Sequence, residues 1–320
     1  MITPSLSNTP WQVMTVKGPV SHDQLGITDA HNHVWIESVP NVSGGSLVLN
    51  QYELILQELK EYRQSGGMSI LDCQPGGCGR NGNRLLELSR ASGVNLIACT
   101  GFHRKKYYPP DYWLWNADPL KISEIFRNEL EHGLAEAVDT PHPVRAGFIK
   151  IALEATWNES PNAALEGSAL TAIVTKTLLE IHTEKGALAE KACIYFTDLG
   201  VSPHQLMLCH MDKKPDISLH KALAEFGVLL EYDTFYRPQY DPKFNLWPLI
   251  EQMVNAGLAK YVALATDMAD ASLYRSIGKG PGLSSLPGEI QQELGKRGYS
   301  ETIREQMLGG NISRRLAGIN

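Results

Sequence analysis

Basic residues are in the minority in this 320-residue chain: 29 lysines and arginines stand against 35 aspartates and glutamates, a formal net charge of −6. That balance excludes the electrostatic footprint of a nucleic-acid binder or of a protein drawn to an anionic membrane surface. No apolar run approaches the ~18 residues that a membrane span needs. Residues 1–10 contain no basic cluster followed by an apolar stretch, so no secretory leader is expected. Cysteine is sparse and odd in number: Cys73, Cys78, Cys99, Cys193 and Cys209. Most of these sit in apolar, strand-like runs, which suits free thiols of a reducing cytoplasm rather than a disulfide framework. Cys73 and Cys78 flank Pro75-Gly76-Gly77, but no second pair completes a structural zinc site. A Gly-x-Ser-x-Gly elbow is missing as well, which argues against a serine nucleophile.

What is present is a long alternation. A small hairpin is expected at 11–20. Short apolar runs bounded by turn residues predict strands at 25–33, 68–73, 94–100, 145–151, 177–182, 205–210, 228–233 and 261–267. Helical spacing predicts helices at 52–63, 83–92, 119–138, 163–176, 185–199, 217–226 and 247–256, with two more at 285–297 and 302–317. An aromatic and basic loop covers 103–118. Strict alternation implies parallel strands, and eight such units close into an α/β fold of the (β/α)8 or TIM-barrel kind, read as a single domain over 1–320. An open doubly wound sheet would want a glycine-rich phosphate turn after its first strand, where this chain has His31-Asn32-His33.

Lys150 lies inside the apolar run Phe148-Ile149-Lys150-Ile151, where an ammonium is expensive to bury unless it is paired or chemically altered. Taken alone, it reads as a strand-end lysine whose head reaches water. Its company changes that reading. His31 and His33 share one face of a strand, being two apart, and His182, His210 and Asp267 each end a strand-like run. In a barrel these ends converge on the C-terminal rim. A lone His182 or His210 is more often a satisfied core histidine, and a lone Asp267 a turn residue. Together they form a donor set for zinc, manganese, iron, cobalt or nickel, larger than the three protein ligands of a single catalytic zinc. Two metals would use them all. A lysine joins such a set only when carbon dioxide has turned its amine into a carbamate.

The motifs Thr28-Asp29-Ala30-His31-Asn32-His33, Arg145-Ala146-Gly147-Phe148-Ile149-Lys150, Ile181-His182-Thr183-Glu184, Cys209-His210-Met211-Asp212 and Ala265-Thr266-Asp267-Met268 resemble those of the phosphotriesterase family of the amidohydrolase superfamily. Gly101-Phe102 and the closing Leu308-Gly309-Gly310-Asn311 fit the same pattern, so the resemblance runs over nearly the whole chain. It implies a binuclear centre in which His31, His33 and Asp267 hold the more buried metal and His182 and His210 the more exposed one. Carboxylated Lys150 and a hydroxide would bridge the two, with zinc as the expected metal and manganese or cobalt as alternatives. The hydroxide would attack an ester centre while Asp267 takes the proton. His103, Arg104, Lys105 and Tyr107 in the loop, with Lys213, Arg237 and Arg275, are candidates for substrate binding. That many cations suit an anionic substrate, such as a phosphorylated or acidic sugar lactone, although loop lysines are more often solvated surface charge. A phosphotriester hydrolase is the alternative, and a non-catalytic metal-binding barrel acting as an interaction protein is the rival of another class. The expected partners are a small-molecule substrate and a second copy of the chain in a homodimer, with neither nucleic acid nor membrane.

Overall fold

The chain enters through an antiparallel hairpin, β1 (Gln12–Thr15) and β2 (Gly18–Ser21), as the sequence predicts. The computed structural model describes residues 11–39, 47–137 and 143–319. Residues 1–10, read above for a leader, and Val138, in the expected third helix, lie outside them. Eight strands follow: β3 (Ile27–Asn32), β4 (Gly67–Asp72), β5 (Asn95–Gly101), β6 (Phe148–Ala152), β7 (Leu179–His182), β8 (Leu206–Cys209), β9 (Leu229–Tyr232) and β10 (Val262–Leu264). Each pairs in parallel with the next, in the order β10-β9-β8-β7-β6-β5-β4-β3. Their apolar runs are buried on both faces, as a parallel sheet covered by helices requires.

The first and last strands meet through side chains and one backbone bond rather than a ladder. Asp267 N donates to His31 O (3.0 Å), and the two carboxylate oxygens of Asp29 accept from Thr266 N (3.1 Å) and Thr266 Oγ1 (2.6 Å). Asn32 Nδ2 bonds both Asp29 and Thr266 at 2.8 Å. These contacts bring the barrel to near closure.

Helices α1 (Tyr52–Gln64), α2 (Gly82–Ser92), α3 (Pro119–Glu131), α4 (Asn162–Thr175), α5 (Ala189–Asp198), α6 (Ile217–Phe226) and α7 (Leu246–Asn255) alternate with the strands. Their starts are written locally. Asp118 caps α3 by accepting from Leu120 N and Lys121 N, with Pro119 at the first helical position, and Asn81 and Asp216 cap α2 and α6. The helix expected to run to 138 stops at Glu131. After α8 (Arg275–Gly278) the expected helix at 285–297 narrows to α9 (Gln291–Lys296), preceded by tighter and wider turns. The one expected at 302–317 is broken into α10 (Glu301–Glu305) and α11 (Asn311–Leu316) around Gly309, where a Cβ would collide with Gly26 O under β3.

The barrel interior is packed by Leu71, Ile97, Phe148, Met207, Leu229 and Ala263. Val13 of the hairpin and Ile312 of α11 belong to the same cluster and close the N-terminal mouth. A larger shell fills the space between strands and helices. Each Leu, Ile or Phe so buried contributes about 1.5–3 kcal/mol. Among the described residues no helix is long and apolar enough to cross a membrane, and all five cysteines are free and buried.

Candidate metal centre

Strand ends deliver six side chains to one rim. His31 lies in β3 and His33 just past it, Lys150 is central in β6, His182 ends β7, His210 follows β8 and Asp267 follows β10. His31 Nε2 is 3.1 Å from Lys150 Nζ, and Asp267 Oδ1 is 3.8 Å from both His31 Nε2 and His33 Nε2. On the other side His182 Nδ1 and His210 Nε2 are 2.8 Å apart, and the His31 and His210 rings lie 4.8 Å apart. Only His182 is more than slightly exposed.

Partners on the outer side of each ring settle where its proton resides. Gln74 Nε2 donates to Cys78 O, which turns Gln74 Oε1 toward His33 Nδ1 at 2.7 Å; that nitrogen therefore donates, and Nε2 carries the lone pair. His31 Nδ1 faces Glu180 Oε1 at 3.1 Å and Glu231 Oε2 at 3.5 Å. His210 Nδ1 donates to Asp233 Oδ2, and His182 Nε2 to Glu184 Oε1 at 3.2 Å. The His33, His182 and His210 imidazoles are thus tethered outward by an N–H, whereas His31 Nδ1 lies beside its two carboxylates without a hydrogen bond among the described residues; the inward nitrogens converge. Lone pairs on His182 and His210 at 2.8 Å repel each other unless a positive charge joins them. The donor set fits divalent cations, and His31, His33 and Asp267 are close enough to share one.

Titration agrees for three of the four rings. Burial drives His33 down to about 3, aided by His31, and His182 down to about 4 against the pull of Glu184. Burial and then Lys213 hold His210 well below the ordinary value. His31 is the exception. Burial opposes its charge, but Cys73 and Glu180 pull it up, and because the Cys73 thiol is itself pushed up by burial to about 12, Glu180 is the effective neighbour. Burial likewise opposes a charge on Lys150, and its neighbours, Glu180 included, raise it well above normal. Glu180 lies below the usual carboxylate range because Lys150 and His31 outweigh its burial. Asp267 does too, against burial, with His210, His31 and Lys213 lowering it. A cation at the rim would displace a proton from His31 Nε2, while Lys150 must lose a proton and take up carbon dioxide before it can join.

Backbone strain reaches two of these residues. His210 and Asp267 sit at φ 62° and 45°, a left-handed conformation that costs non-glycine residues roughly 1–3 kcal/mol. His210 is held there by its N–H donating to Glu231 Oε2 (3.1 Å), and Asp267 by its N–H donating to His31 O (3.0 Å). Gly101, at φ 108°, lets β5 press against Lys150: a Cβ would overlap Lys150 O, which instead accepts from Phe102 N at 2.8 Å.

A cleft of about 150 Å³ opens over the rim, lined by His103, Arg104, Tyr107, Glu184 and Lys213 among others. Of the residues expected to bind substrate, His103, Arg104, Tyr107 and Lys213 face it. Arg104 is tied to Glu154 (3.0 Å) and Glu184 (2.5 Å), so its charge is spoken for. Arg237 Nη2 reaches Asp267 Oδ2 at 3.1 Å and also bonds its carbonyl. Lys213 Nζ stands 3.9 Å from the same carboxylate. Two expectations fail. Lys105 is exposed and donates to Glu159 O at 3.0 Å, and Arg275 turns outward to Pro281 O at 2.7 Å, because the loop after β10 folds back on itself there.

Sequence reasoning passed over the outer acceptors Gln74, Glu180, Glu231 and Asp233. A signal existed: Glu180 stands two before His182, and Glu231 two before Asp233, so period-two patterning places each pair on one inward face.

A family model described as the phosphotriesterase family matches residues 11–316. A phospho-furanose lactonase of Mycoplasmopsis synoviae (strain 53) is 30% identical over 321 residues, covering 95% of this chain and 91% of that one. The crystal structure of an amidohydrolase from Mycoplasma synoviae superposes with a TM-score of 0.88 at 28% identity, over 96% of this chain and 92% of that one. A lactonase from Listeria monocytogenes shares the fold, with a TM-score of 0.86 at 23% identity over 95% of this chain and 98% of its own. Since the match spans every side chain gathered at the rim, the chain belongs to the phosphotriesterase family.

Proposed function

We propose that this chain is a binuclear metal-dependent hydrolase that opens the lactone ring of a phosphorylated furanose sugar. Four imidazoles gathered at one rim beside Lys150 and Asp267, three of them tethered outward by an N–H, carry that conclusion. His31, His33 and Asp267 would hold the more buried cation and His182 and His210 the other, and Lys150 as a carbamate would join them. Zinc suits this nitrogen and oxygen donor set; manganese and cobalt do as well. When bound, a pair of divalent cations supplies a water of near-neutral pKa and polarises an ester carbonyl.

The chain's own residues do the rest. Arg237 holds Asp267 by Oδ2, with Oδ1 facing His31 and His33, and the Asp267 carboxylate is the group that takes a proton and hands it to the departing alkoxide. Lys213, raised above its ordinary pKa by Asp233 and Asp267 despite burial, remains an ammonium at the edge of the cleft. With Arg237 committed to Asp267, Lys213 is the cation that the cleft edge offers a phosphate. The named activity of the relative from Mycoplasmopsis synoviae supports the same substrate class. A phosphotriester is less favoured, since it is neutral and gives the Lys213 ammonium nothing to bind. The free, buried thiols support a cytoplasmic setting.

The test is a substrate panel on protein reconstituted with zinc, manganese or cobalt: a phosphorylated furanose lactone, the same lactone without phosphate, and an activated phosphotriester. The expected order of kcat/KM follows that listing. Turnover of the triester alone, or of nothing with any of the three metals, would overturn the proposal.

A further inference from the structure

Below the rim, one carboxylate oxygen gathers an unusual number of donors. Glu180 is fully buried on β7, and its Oε1 lies 2.8 Å from Lys150 Nζ, 3.1 Å from His31 Nδ1, 3.2 Å from Cys73 Sγ and 3.3 Å from Cys209 Sγ. Its Oε2 has no hydrogen-bond partner among the described residues. Glu231 is buried beside it, its Oε2 3.5 Å from the same His31 Nδ1, and the rest of the layer is apolar, with Leu71, Phe148 and Met207 in the same interior cluster as the two thiols. Nothing in the packing calls for a charge at this depth, and an isolated buried carboxylate is costly. What it touches explains its place: two residues of the metal centre, one from β3 and one from β6, meet on a single oxygen.

We propose that Glu180 is the positioning residue of the metal centre, the group that orients His31 and Lys150 together. Its Oε1, 3.1 Å from His31 Nδ1, is placed to accept a hydrogen bond from that nitrogen once a cation draws the ring into line, which would turn the Nε2 lone pair upward. Accepting from Lys150 Nζ holds that nitrogen beneath the rim. A carbamate keeps one N–H, and in this dry layer Glu180 is the acceptor within reach of it. Two divalent cations also bring more positive charge than Asp267 and a carbamate remove, and an ionised carboxylate directly below offsets part of the remainder. This role rests on the carbamate-bridged centre proposed above.

Glu180→Gln keeps the shape and removes the charge. Competition with a chelator should show its metal affinity reduced about 10- to 100-fold. In 13C-bicarbonate the carbamate resonance should weaken, while the melting temperature of the metal-free protein stays close to wild type. Should that variant fail to fold, Glu180→Asp retains the charge one methylene short and should show the same two losses. On the wild type itself, nitrogen-resolved NMR of the metal-loaded protein should show a strongly downfield Nδ1 proton on His31. A wild type that takes up metal and shows the carbamate, with Glu180→Gln equal to it in both, overturns the Glu180 role alone. A missing downfield proton does the same. A wild type that takes up no metal overturns the centre and this role together.

Discussion

Two buried charged clusters lie on either side of β5, and they differ in one respect. Outside the barrel Arg80 is buried and its guanidinium is used up: Nη1 donates to Cys99 O (2.7 Å), both Nη atoms to Glu129 (2.9 and 2.5 Å), and Nε and Nη2 to Glu136 (2.8 and 2.9 Å). Thr100 Oγ1 adds a bond to Glu129 at 2.6 Å. Every donor meets an acceptor, so the cluster is electrically closed and joins α2, α3 and β5. Inside the barrel the same kinds of groups are arranged with donors facing outward and acceptors facing one another. That cluster closes only around a cation from outside. Buried charge alone does not mark a site; unspent lone pairs pointing at each other do.

The contrast can be broken from the inside first. Chelation should abolish turnover of the best substrate and lower the melting temperature, both restored by adding zinc back; calorimetry with and without chelator checks it. Lys150→Ala should behave as a chelated protein with its fold intact, measured by metal analysis and circular dichroism. Asp267→Asn should lower kcat by about 10²–10⁴-fold while retaining most of its metal, and a wild-type kcat would remove Asp267 as proton carrier.

The closed cluster should respond in stability instead. Arg80→Met should cost about 3–5 kcal/mol in denaturant unfolding, because Glu129 is left buried and unpaired. Burial opposes the Glu129 charge, but Arg80 prevails and lowers its pKa. The pair's contribution is therefore full above the unfolded carboxyl's pKa of about 4.3 and is lost as pH falls through the lower, folded-state pKa. Arg80→Met should flatten that acid limb of the stability curve.

Smaller effects should sharpen the substrate side. Lys213→Ala should lower kcat/KM by about 10- to 100-fold on a phosphorylated lactone and much less on the unphosphorylated one. Arg275→Ala, whose guanidinium points away from the cleft, should change neither.

The barrel and its six rim residues could be read from sequence because both follow from local rules. Period-two spacing puts His31 and His33 on one face, and apolar runs set the strands that end in His182 and His210. The loop cations could not be read, since a loop's path is decided by tertiary contacts: Arg104 is neutralised by Glu154 and Glu184, and Arg275 is captured by Pro281 O. The last strand came out shorter than its apolar run because Asp267 must leave the ladder at a left-handed φ to reach the rim. The break at Gly309 answers to the approach of Gly26, far away in the chain.

The seam between β3 and β10 has a consequence for biosynthesis. Asp29 and Thr266, which clasp it, are 237 residues apart. A nascent chain leaving the ribosome exposes His31 and His33 long before Thr266 exists, and until then β3 is bare along one edge. Capture of an ion at the proposed His31, His33 and Asp267 site would thus be a late event of translation, and a chain cut short anywhere ahead of β10 should emerge unable to keep one.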